Sequence, residues 1–181
     1  PGAGVGGPCL PINSYQLLNT AKKSGVKLNI IEYSRQINEK MPEHVIELTL
    51  DAFKENKKSI EGSEILILGI SYKPNVKDLQ LSPAENIIKK LQELGANVHI
   101  YDPYFASMKA YDINVEEKLD DILPRVNASI IITAHDEFKK IETSIFKIMK
   151  DPILIDTRGI IDPKDAKRNG LVFRGLGRGK Q

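Results

Sequence analysis

The hydrophobic and polar positions of residues 64–104 follow the order strand, helix, strand. Glu64–Ile70 is almost continuously apolar, which is typical of a strand buried on both faces of a parallel sheet. Apolar residues then recur at helical spacing after Ser82, which opens an S-x-x-E capping box with Pro83 as the first helical residue. Asn97–Tyr101 predicts a second strand. Because such crossovers are right-handed, the two strands should be parallel neighbours.

The chain after Tyr104 repeats this alternation. Further strands are predicted at Ala128–Thr133, Ile153–Asp156 and Leu171–Arg174, with a weak segment at Asn114–Val115. Helices are predicted at Ala106–Tyr111, Glu117–Leu123 and Glu137–Lys150. The alternation indicates an α/β fold, a Rossmann-like doubly wound parallel sheet with helices on both faces.

A helical segment precedes this sheet. Residues 14–24 and 29–57 have helical periodicity, and Pro42 should kink or restart the second helix. Two helices cannot bury their apolar faces alone, so the segment needs a partner surface. The polar stretch at residues 56–63 marks a boundary. We therefore divide the chain into a helical part, residues 1–57, and an α/β domain, residues 58–181.

The composition narrows the possible partners. With 181 residues, 41% hydrophobic and 28% charged, the chain has room for one domain and a smaller piece of a soluble protein. The net charge of +2 and the lack of a basic stripe argue against nucleic acid. No signal peptide or apolar run of transmembrane length is visible, so we expect no membrane partner. One cysteine rules out an internal disulfide and fits the cytoplasm. Because Pro1 opens directly into a glycine-rich run, we expect the natural protein to be longer.

Residues 1–16, PGAGVGGPCLPINSYQ, place four glycines ahead of Cys9. Glycines at this density let backbone amides approach a ligand closely. Asn13 and Gln16 are candidate caps for a helix that begins near Ser14, which would put Cys9 in a tight loop before a helix N-terminus. The positive end of a helix favours a thiolate there. A lone cysteine can equally be incidental.

Polar side chains follow the predicted strands at their carboxyl ends. They are Tyr72, Lys73, Asp102, Thr133, His135 and Arg158. Ligands of doubly wound sheets bind beyond this edge, and the set suits an anionic nucleotide with Lys73 and Arg158 as phosphate partners. Asp102 is better explained by a turn with Pro103, and His135 by a rim or capping role.

Two longer motifs connect these features. They are GAGVGGPCLP, just ahead of a helix, and GISYKPNVKDLQLSPA, after the first strand of the sheet. Together with YDPY, TAHDEF, DTRG and the tail FRGLGRGK, they resemble the C-terminal half of the UDP-glucose/GDP-mannose dehydrogenase family over essentially the whole chain. Such enzymes carry an N-terminal domain that binds NAD, and no G-x-G-x-x-G after an opening strand matches it here. NAD is therefore expected to be bound mainly outside this chain.

The resemblance implies NAD-dependent oxidation of the C6 alcohol of a UDP-sugar to a carboxylate. Cys9 matches the nucleophile that captures the aldehyde as a thiohemiacetal, which is oxidised to a thioester and hydrolysed. The substrate-binding residues implied are Gly4, Gly6, Gly7, Tyr72, Lys73 and Arg158. The helical segment is expected to form a homodimer, and no metal ion is expected. The Y-K-P-N and G-P-C-L-P forms favour UDP-N-acetylmannosamine or UDP-N-acetylglucosamine over UDP-glucose.

Two positions depart from the family pattern. Asn13 stands where the family usually has an aspartate implicated in water activation, and a neutral amide cannot be a general base. Asn13 can still position water. Gln80 stands where the family commonly has an arginine that reaches toward NAD, so this cofactor-binding position keeps hydrogen bonding but loses its charge.

Three other functions remain open. The chain could belong to a UDP-glucose 6-dehydrogenase, or, given Asn13 and Gln80, to a non-catalytic UDP-binding or dimerisation module. A stand-alone dinucleotide-binding domain is less favoured, because LGISYKPN lacks the glycine fingerprint after the first strand. In the favoured interpretation, this chain alone oxidises no sugar, because it has no NAD domain.

Overall fold

A computed structural model describes residues 2–178. Pro1 and residues 179–181, which include the end of FRGLGRGK, lie outside the described residues. The α-helices are α1 Leu10–Lys23, α2 Asn29–Glu55, α3 Pro83–Glu93, α4 Leu119–Ile122, α5 Asp136–Lys139 and α6 Pro163–Arg168. The strands are β1 Glu64–Leu68, β2 Asn97–Tyr101, β3 Lys109–Ala110, β4 Ile113–Glu116, β5 Ala128–Ile131, β6 Ile153–Asp156 and β7 Val172–Gly175. Two 3₁₀ helices lie at Leu123–Arg125 and Thr143–Ile148.

The strands form one seven-stranded sheet in the order β3-β4-β2-β1-β5-β6-β7. All neighbouring strands are parallel except β3, which pairs antiparallel with β4. Ile67 in β1 pairs with Ile100 in β2 and with Ile130 in β5. The chain order of the parallel strands reverses between β1 and β5, and this switch point is where doubly wound sheets form a ligand crevice. The predicted fold class is confirmed.

Each face of the sheet carries its own hydrophobic core. Ile65 and Ile67 of β1 face the core that α2 and α3 cover, and Leu66 and Leu68 face the core on the other side. The first core includes Val45, Ala52, Phe53, Ile87, Ile88 and Leu91. The second includes Ile122, Phe138, Phe146, Leu154 and Ala166. Burial on both faces explains why β1 reads as a continuous apolar run.

The start of α1 differs from the prediction. The helix begins at Leu10 with Pro11 in its first turn, so Cys9 occupies the N-cap position. Asn13 lies inside the helix, where its backbone N–H donates to the Cys9 carbonyl at 2.9 Å. The predicted start near Ser14 with Asn13 or Gln16 as a cap is therefore wrong. Proline is well suited to a first helical turn because its missing N–H has no partner there.

α2 is a single helix that runs through Pro42 without restarting. Its second half packs in the first core, and Arg174 of β7 joins it to the sheet edge. The Arg174 guanidinium is 3% exposed and donates to Asp51, with Nε 2.8 Å from Oδ2, and to Glu55. Burial alone would lower the pKa of Arg174, but its hydrogen bonds to Glu55 and Asp51 raise it. The division of the chain at residues 57 and 58 stays a prediction.

Two predicted helices are wrong. The segment at 106–111 leads into a hairpin of β3 and β4, whose connecting residues Tyr111 and Asp112 both have positive φ, 51° and 64°. The second, at 137–150, is divided into α5 and a 3₁₀ helix. The helix predicted at 117–123 forms only α4, which passes into the 3₁₀ helix at Leu123.

α6 was not predicted, although the Asp162 side chain accepts from the backbone N–H of Lys164 at 2.8 Å and Pro163 follows the cap. The strands predicted at 64–70 and 128–133 end at Leu68 and Ile131, and the strands at 153–156 and near 171–174 are confirmed.

Candidate functional site

The glycine loop, defined as residues 2–8, packs against the β1–α3 connection, residues 69–82. Gly7 donates its backbone N–H to the Gln80 carbonyl at 2.9 Å. A Cβ on Gly7, which has φ +86°, would lie 2.6 Å from Cε2 of Tyr72, and a Cβ on Gly6 would collide with the Leu81 carbonyl. Only glycine fits this close approach of two backbone segments. The predicted Gly6 and Gly7 thus lie beside Tyr72, whereas the predicted Gly4 lies beside Pro83 at the start of α3.

Cys9 follows directly after the glycine loop and is exposed. Asn13 lies one helical turn further along α1 and is also exposed. Residues four apart project from the same face of a helix, so the thiol and the amide are neighbours at the N-terminal end of α1. The first turn of α1 contains no acidic residue.

Hydrogen bonds across the switch point hold the β1–α3 connection. The Thr133 hydroxyl donates to the Ser71 carbonyl at 2.6 Å, and the Asn75 backbone N–H donates to Nδ1 of His135 at 3.0 Å. These bonds join the segment after β1 to the segment after β5. They fix the backbone on either side of Lys73, whose exposed Nζ lies 5.6 Å from the centre of the Tyr72 ring.

His135 and Asp102 form a fully buried pair beneath this connection. Since Nδ1 of His135 accepts from Asn75, its Nε2 carries the proton and donates to Oδ2 of Asp102 at 3.1 Å. Asp102 also accepts the backbone N–H groups of Ile70 at 2.8 Å and Tyr104 at 2.9 Å. Both ring nitrogens of His135 are used, so the histidine organises the loops. Of the two predicted roles, the rim position is wrong because the side chain is fully buried, whereas His135 does occupy the N-cap position of α5, although its side chain does not bond the helix.

Arg158 reaches the glycine loop from the end of β6. The buried Asp156 carboxylate accepts the N–H groups of Arg158, Gly159 and Ile161, each at 2.8 Å, and so shapes the D-T-R-G turn. A Cβ added to Gly2 would collide with Nη1 of Arg158, which places the guanidinium beside the loop. Arg158 is half-buried, and its charge is available near the docked glycines.

Sequence reasoning missed two residues that support the site. Arg178 donates to the carbonyls of Gly159 at 3.1 Å and Ile161 at 3.3 Å, on the same turn as Arg158. Asn38 of α2 contacts the glycine loop at Val5. Arg178 lies in the FRGLGRGK tail, but that motif does not indicate its partners, and Asn38 belongs to no motif, because the partners of both residues come from distant elements.

The geometry brings a thiol, an amide, two cations and tightly docked glycines to one region. The structure brings together four of the predicted residues, Gly6, Gly7, Tyr72 and Arg158. The backbone carbonyl of Gln80 contacts the glycine loop, and Lys73 lies beside the Tyr72 ring. Cationic side chains beside backbone amides suit a phosphate-bearing ligand.

NAD does not fit the switch point of this sheet. A dinucleotide would need a glycine-rich turn after β1, but residues 69–82 contain one glycine and are bonded across the crevice to Thr133 and His135. Among residues 2–178, no helix has both the length and the apolar character needed to cross a membrane.

Comparisons with known proteins identify similar domains along the chain. The UDP binding domain of the UDP-glucose/GDP-mannose dehydrogenase family matches residues 66–163, and the central domain of the same family matches residues 1–40. The two matches include the β1–α3 connection and the loop with Cys9.

Individual relatives show the same similarity. The chain is 36% identical to a UDP-N-acetyl-D-mannosamine dehydrogenase of Pyrococcus horikoshii, over 99% of this chain and 40% of the relative. It is 31% identical to a UDP-glucose 6-dehydrogenase of Bacillus subtilis, over 98% of the chain and 39% of the relative. The solved structure of the UDP-D-ManNAc dehydrogenase from Pyrococcus horikoshii superposes with a TM-score of 0.87 at 34% identity, covering all of this chain and 40% of that one. The chain thus spans about 40% of the length of these relatives.

Proposed function

Because this chain belongs to the UDP-glucose/GDP-mannose dehydrogenase family, we propose that it forms part of an NAD-dependent UDP-sugar 6-dehydrogenase. The observation that carries the proposal is the docking of the glycine loop, which ends directly before Cys9, on Tyr72 and beside Arg158. In the proposal, the Cys9 thiol is the nucleophile, and the cations of the same region bind the anionic part of the substrate. NAD belongs to another part of the enzyme, since the switch point does not fit it.

In this proposal Cys9 is the nucleophile for the C6 aldehyde. Its sulfur adds to the carbonyl carbon, and the oxygen takes a proton to give a thiohemiacetal, which keeps the aldehyde bound between two oxidations. After the second oxidation, water attacks the thioester carbon, releases the carboxylate and returns the thiolate. NAD supplies the oxidising equivalents from outside this chain.

The remaining residues bind or orient. Lys73 and Arg158 pair with the phosphates of UDP. The glycine loop, with the amides of Gly4, Gly6 and Gly7, and the Tyr72 side chain form the surface that receives the substrate. Asn13 sits one turn from Cys9 and positions the hydrolytic water through its amide, since it cannot accept a proton as a base. Gln80 occupies the position that reaches toward the NAD held by the rest of the enzyme, and it offers a hydrogen bond there in place of a charge.

The favoured substrate is a UDP-N-acetylhexosamine. The 36% identity to a UDP-N-acetyl-D-mannosamine dehydrogenase supports this choice, and the 31% identity to a UDP-glucose 6-dehydrogenase keeps UDP-glucose as the alternative. Measuring kcat/KM of the full-length enzyme for UDP-N-acetylmannosamine, UDP-N-acetylglucosamine and UDP-glucose decides among them. A clear preference for UDP-glucose would contradict the favoured choice.

Substitution of the only cysteine tests the chemistry. The full-length enzyme should reduce two NAD for each UDP-sugar oxidised, and Cys9→Ser should abolish carboxylate formation while UDP still binds. The matched control is Ser14→Ala, a change elsewhere on α1 that removes a hydroxyl bonded to the Leu10 carbonyl.

If the protein is instead a non-catalytic UDP-binding module, the unaltered full-length protein should bind UDP without turnover. This chain alone should oxidise nothing, and turnover by the purified chain with NAD would contradict the assignment.

The helical segment supports a homodimer. Both helices carry exposed apolar side chains, with Ile30 83% exposed, Tyr33 62% and Ile37 65% on α2, and Leu17 49% on α1. Ile30, Tyr33 and Ile37 recur at helical spacing on one face of α2, and an unpaired apolar face of this kind marks an interface.

Light scattering on the purified protein tests the dimer. Ile30→Glu together with Tyr33→Glu should shift the dimer to a monomer, because charges would be buried without partners. Ile148→Glu is the control, since Ile148 is equally apolar and 48% exposed but lies in the 3₁₀ helix on the other side of the sheet. A dimer that survives the α2 changes would place the interface elsewhere.

A further inference from the structure

The glycine loop is also held at Val5 by one side chain of α2. The Val5 backbone N–H donates to Oδ1 of Asn38 at 2.7 Å, and Nδ2 of Asn38 donates to the Val5 carbonyl at 3.3 Å. The side-chain amide of Asn38 therefore provides hydrogen-bond partners for both the N–H and the carbonyl of Val5, as a neighbouring β-strand would. Without Asn38, these two groups would have only solvent as a partner.

Pro42 adds a second contact between α2 and the loop. Proline has no N–H, so the Asn38 carbonyl, four residues earlier, is released from the helical ladder. That oxygen points toward the loop, since a Cβ on Gly4 would lie 3.5 Å from it. Gly4 has φ +135° and would also approach Pro83 Cβ at 3.3 Å. Asn38 thus meets the loop with its side chain at Val5 and its backbone at Gly4.

The loop is therefore fixed at two points just before Cys9. Asn38 holds Val5 from the α2 side, and the Gln80 carbonyl holds Gly7 from the sheet side. Only Pro8 lies between the second anchor and Cys9. Glycines in this stretch have large conformational freedom when unrestrained, so removing one anchor should release the loop.

We propose that Asn38 is a positioning residue that holds the glycine loop so that Cys9 stays at the N-terminal end of α1. The inference rests on the proposed role of Cys9 as nucleophile. Asn38 acts through Val5 and the loop backbone and needs no contact with substrate. It explains why an otherwise solvent-facing stretch of α2 places an asparagine four residues before a proline.

Hydrogen exchange in this chain tests the positioning directly. Asn38→Ala should raise the exchange rate of the Val5 amide by about tenfold or more, since one hydrogen bond is lost. The effect should extend to the amides of Gly7 and Asn13, because the Asn13 N–H is bonded to the Cys9 carbonyl. The Val45 amide, deep in α2, should be unaffected. Faster exchange at Val5 without any change at Asn13 would show that Cys9 is held independently and would overturn the proposal.

Two further variants separate the hydrogen bonds from general packing. Asn38→Asp keeps the oxygen that accepts from Val5, so it should retain most protection at Val5 where Asn38→Ala does not. Asn86→Ala is the matched control, because Asn86 and Asn38 line the same pocket of about 410 Å³ and Asn86 lies on α3. Equal loss of protection in Asn38→Asp and Asn38→Ala, or in Asn86→Ala, would assign the effect to packing and overturn the proposal.

Kinetics of the full-length enzyme provide the functional readout. Asn38→Ala should lower kcat about tenfold or more with KM for the UDP-sugar within about twofold, and Asn38→Asp should recover most of the loss. A rise in KM with unchanged kcat would contradict positioning of the nucleophile. If the unaltered enzyme lacked dehydrogenase activity, the proposed function would fail, whereas the exchange data on Val5 and Asn13 would still decide whether Asn38 holds the loop.

Discussion

Replacing Gly7 by alanine tests how tightly the glycine loop is docked. Gly7 has φ +86°, a left-handed conformation that costs an L-residue about 1–2 kcal/mol. The new Cβ would lie 2.6 Å from Cε2 and 2.8 Å from Cδ2 of Tyr72, so the ring or the loop must move. Overpacking of this kind costs about 1–3 kcal/mol. The two effects together should lower the free energy of unfolding by about 2–5 kcal/mol.

Gly62→Ala separates strain from collision. Gly62 has φ +72°, but no atom lies within 4 Å of its added Cβ, so it should cost only the strain of about 1–2 kcal/mol. Urea unfolding followed by far-UV circular dichroism gives both values. Tyr72→Ala should relieve part of the Gly7→Ala loss, with a coupling of at least about 1 kcal/mol in the double-mutant cycle. A Gly7→Ala loss no larger than that of Gly62→Ala, or no coupling to Tyr72, would refute the docking.

Three other predictions concern the scaffold. Arg174→Met should lower the free energy of unfolding by about 2 kcal/mol in urea unfolding, less than the loss of a fully buried pair, because Asp51 and Glu55 are partly exposed and can rehydrate. The control Arg168→Met, at an exposed pair, should change this free energy by less than about 0.5 kcal/mol. Equal losses in the two variants would contradict the role of burial. The hydrogen bond from His99 lowers the pKa of Glu64 below 4.5, against the opposing effect of burial. A carboxyl pKa that is lower in the folded state stabilises the fold at pH values above the pKa of the unfolded state, and this stabilisation is lost as the pH falls through the pKa of the folded state. The free energy of unfolding of Glu64→Gln, measured between pH 7 and pH 3, should therefore fall less steeply toward acid pH than that of the unaltered protein. Parallel curves for the two proteins would contradict this effect of His99. Asp162→Ala should lose the cap of α6 and cost about 1 kcal/mol, seen as a lower Tm, and an unchanged Tm would show that the cap adds nothing.

The parallel strands could be predicted because burial on both faces leaves a continuous apolar run, as in Glu64–Leu68 and Ala128–Ile131. The β3–β4 hairpin could not be predicted from the sequence. Its turn uses Tyr111 and Asp112 at positive φ, where glycine or asparagine would have signalled a two-residue turn. The segment at 137–150 has apolar residues at spacings of three and four, which short 3₁₀ turns satisfy as well as one α-helix.

Residues of the candidate site could be predicted where they belong to a contiguous sequence motif. Gly6, Gly7 and Tyr72 came from two contiguous stretches, and the structure packs those stretches together. Asn38 could not be found from the sequence, because its hydrogen bonds join positions 33 residues apart on different elements. The burial of His135 could not be predicted either, because its partners, Asn75 and Asp102, also come from separate loops.

Calorimetric titration of this chain with UDP, and separately with NAD, tests whether this domain binds the nucleotide-sugar. UDP should bind, Arg158→Met should weaken UDP binding by about tenfold through loss of a charged hydrogen bond, and NAD should not bind. Lys147→Met, which removes an exposed cation from the 3₁₀ helix away from the site, should leave UDP affinity unchanged. Binding of NAD without UDP, or UDP binding indifferent to Arg158, would contradict the assignment of this domain to the nucleotide-sugar.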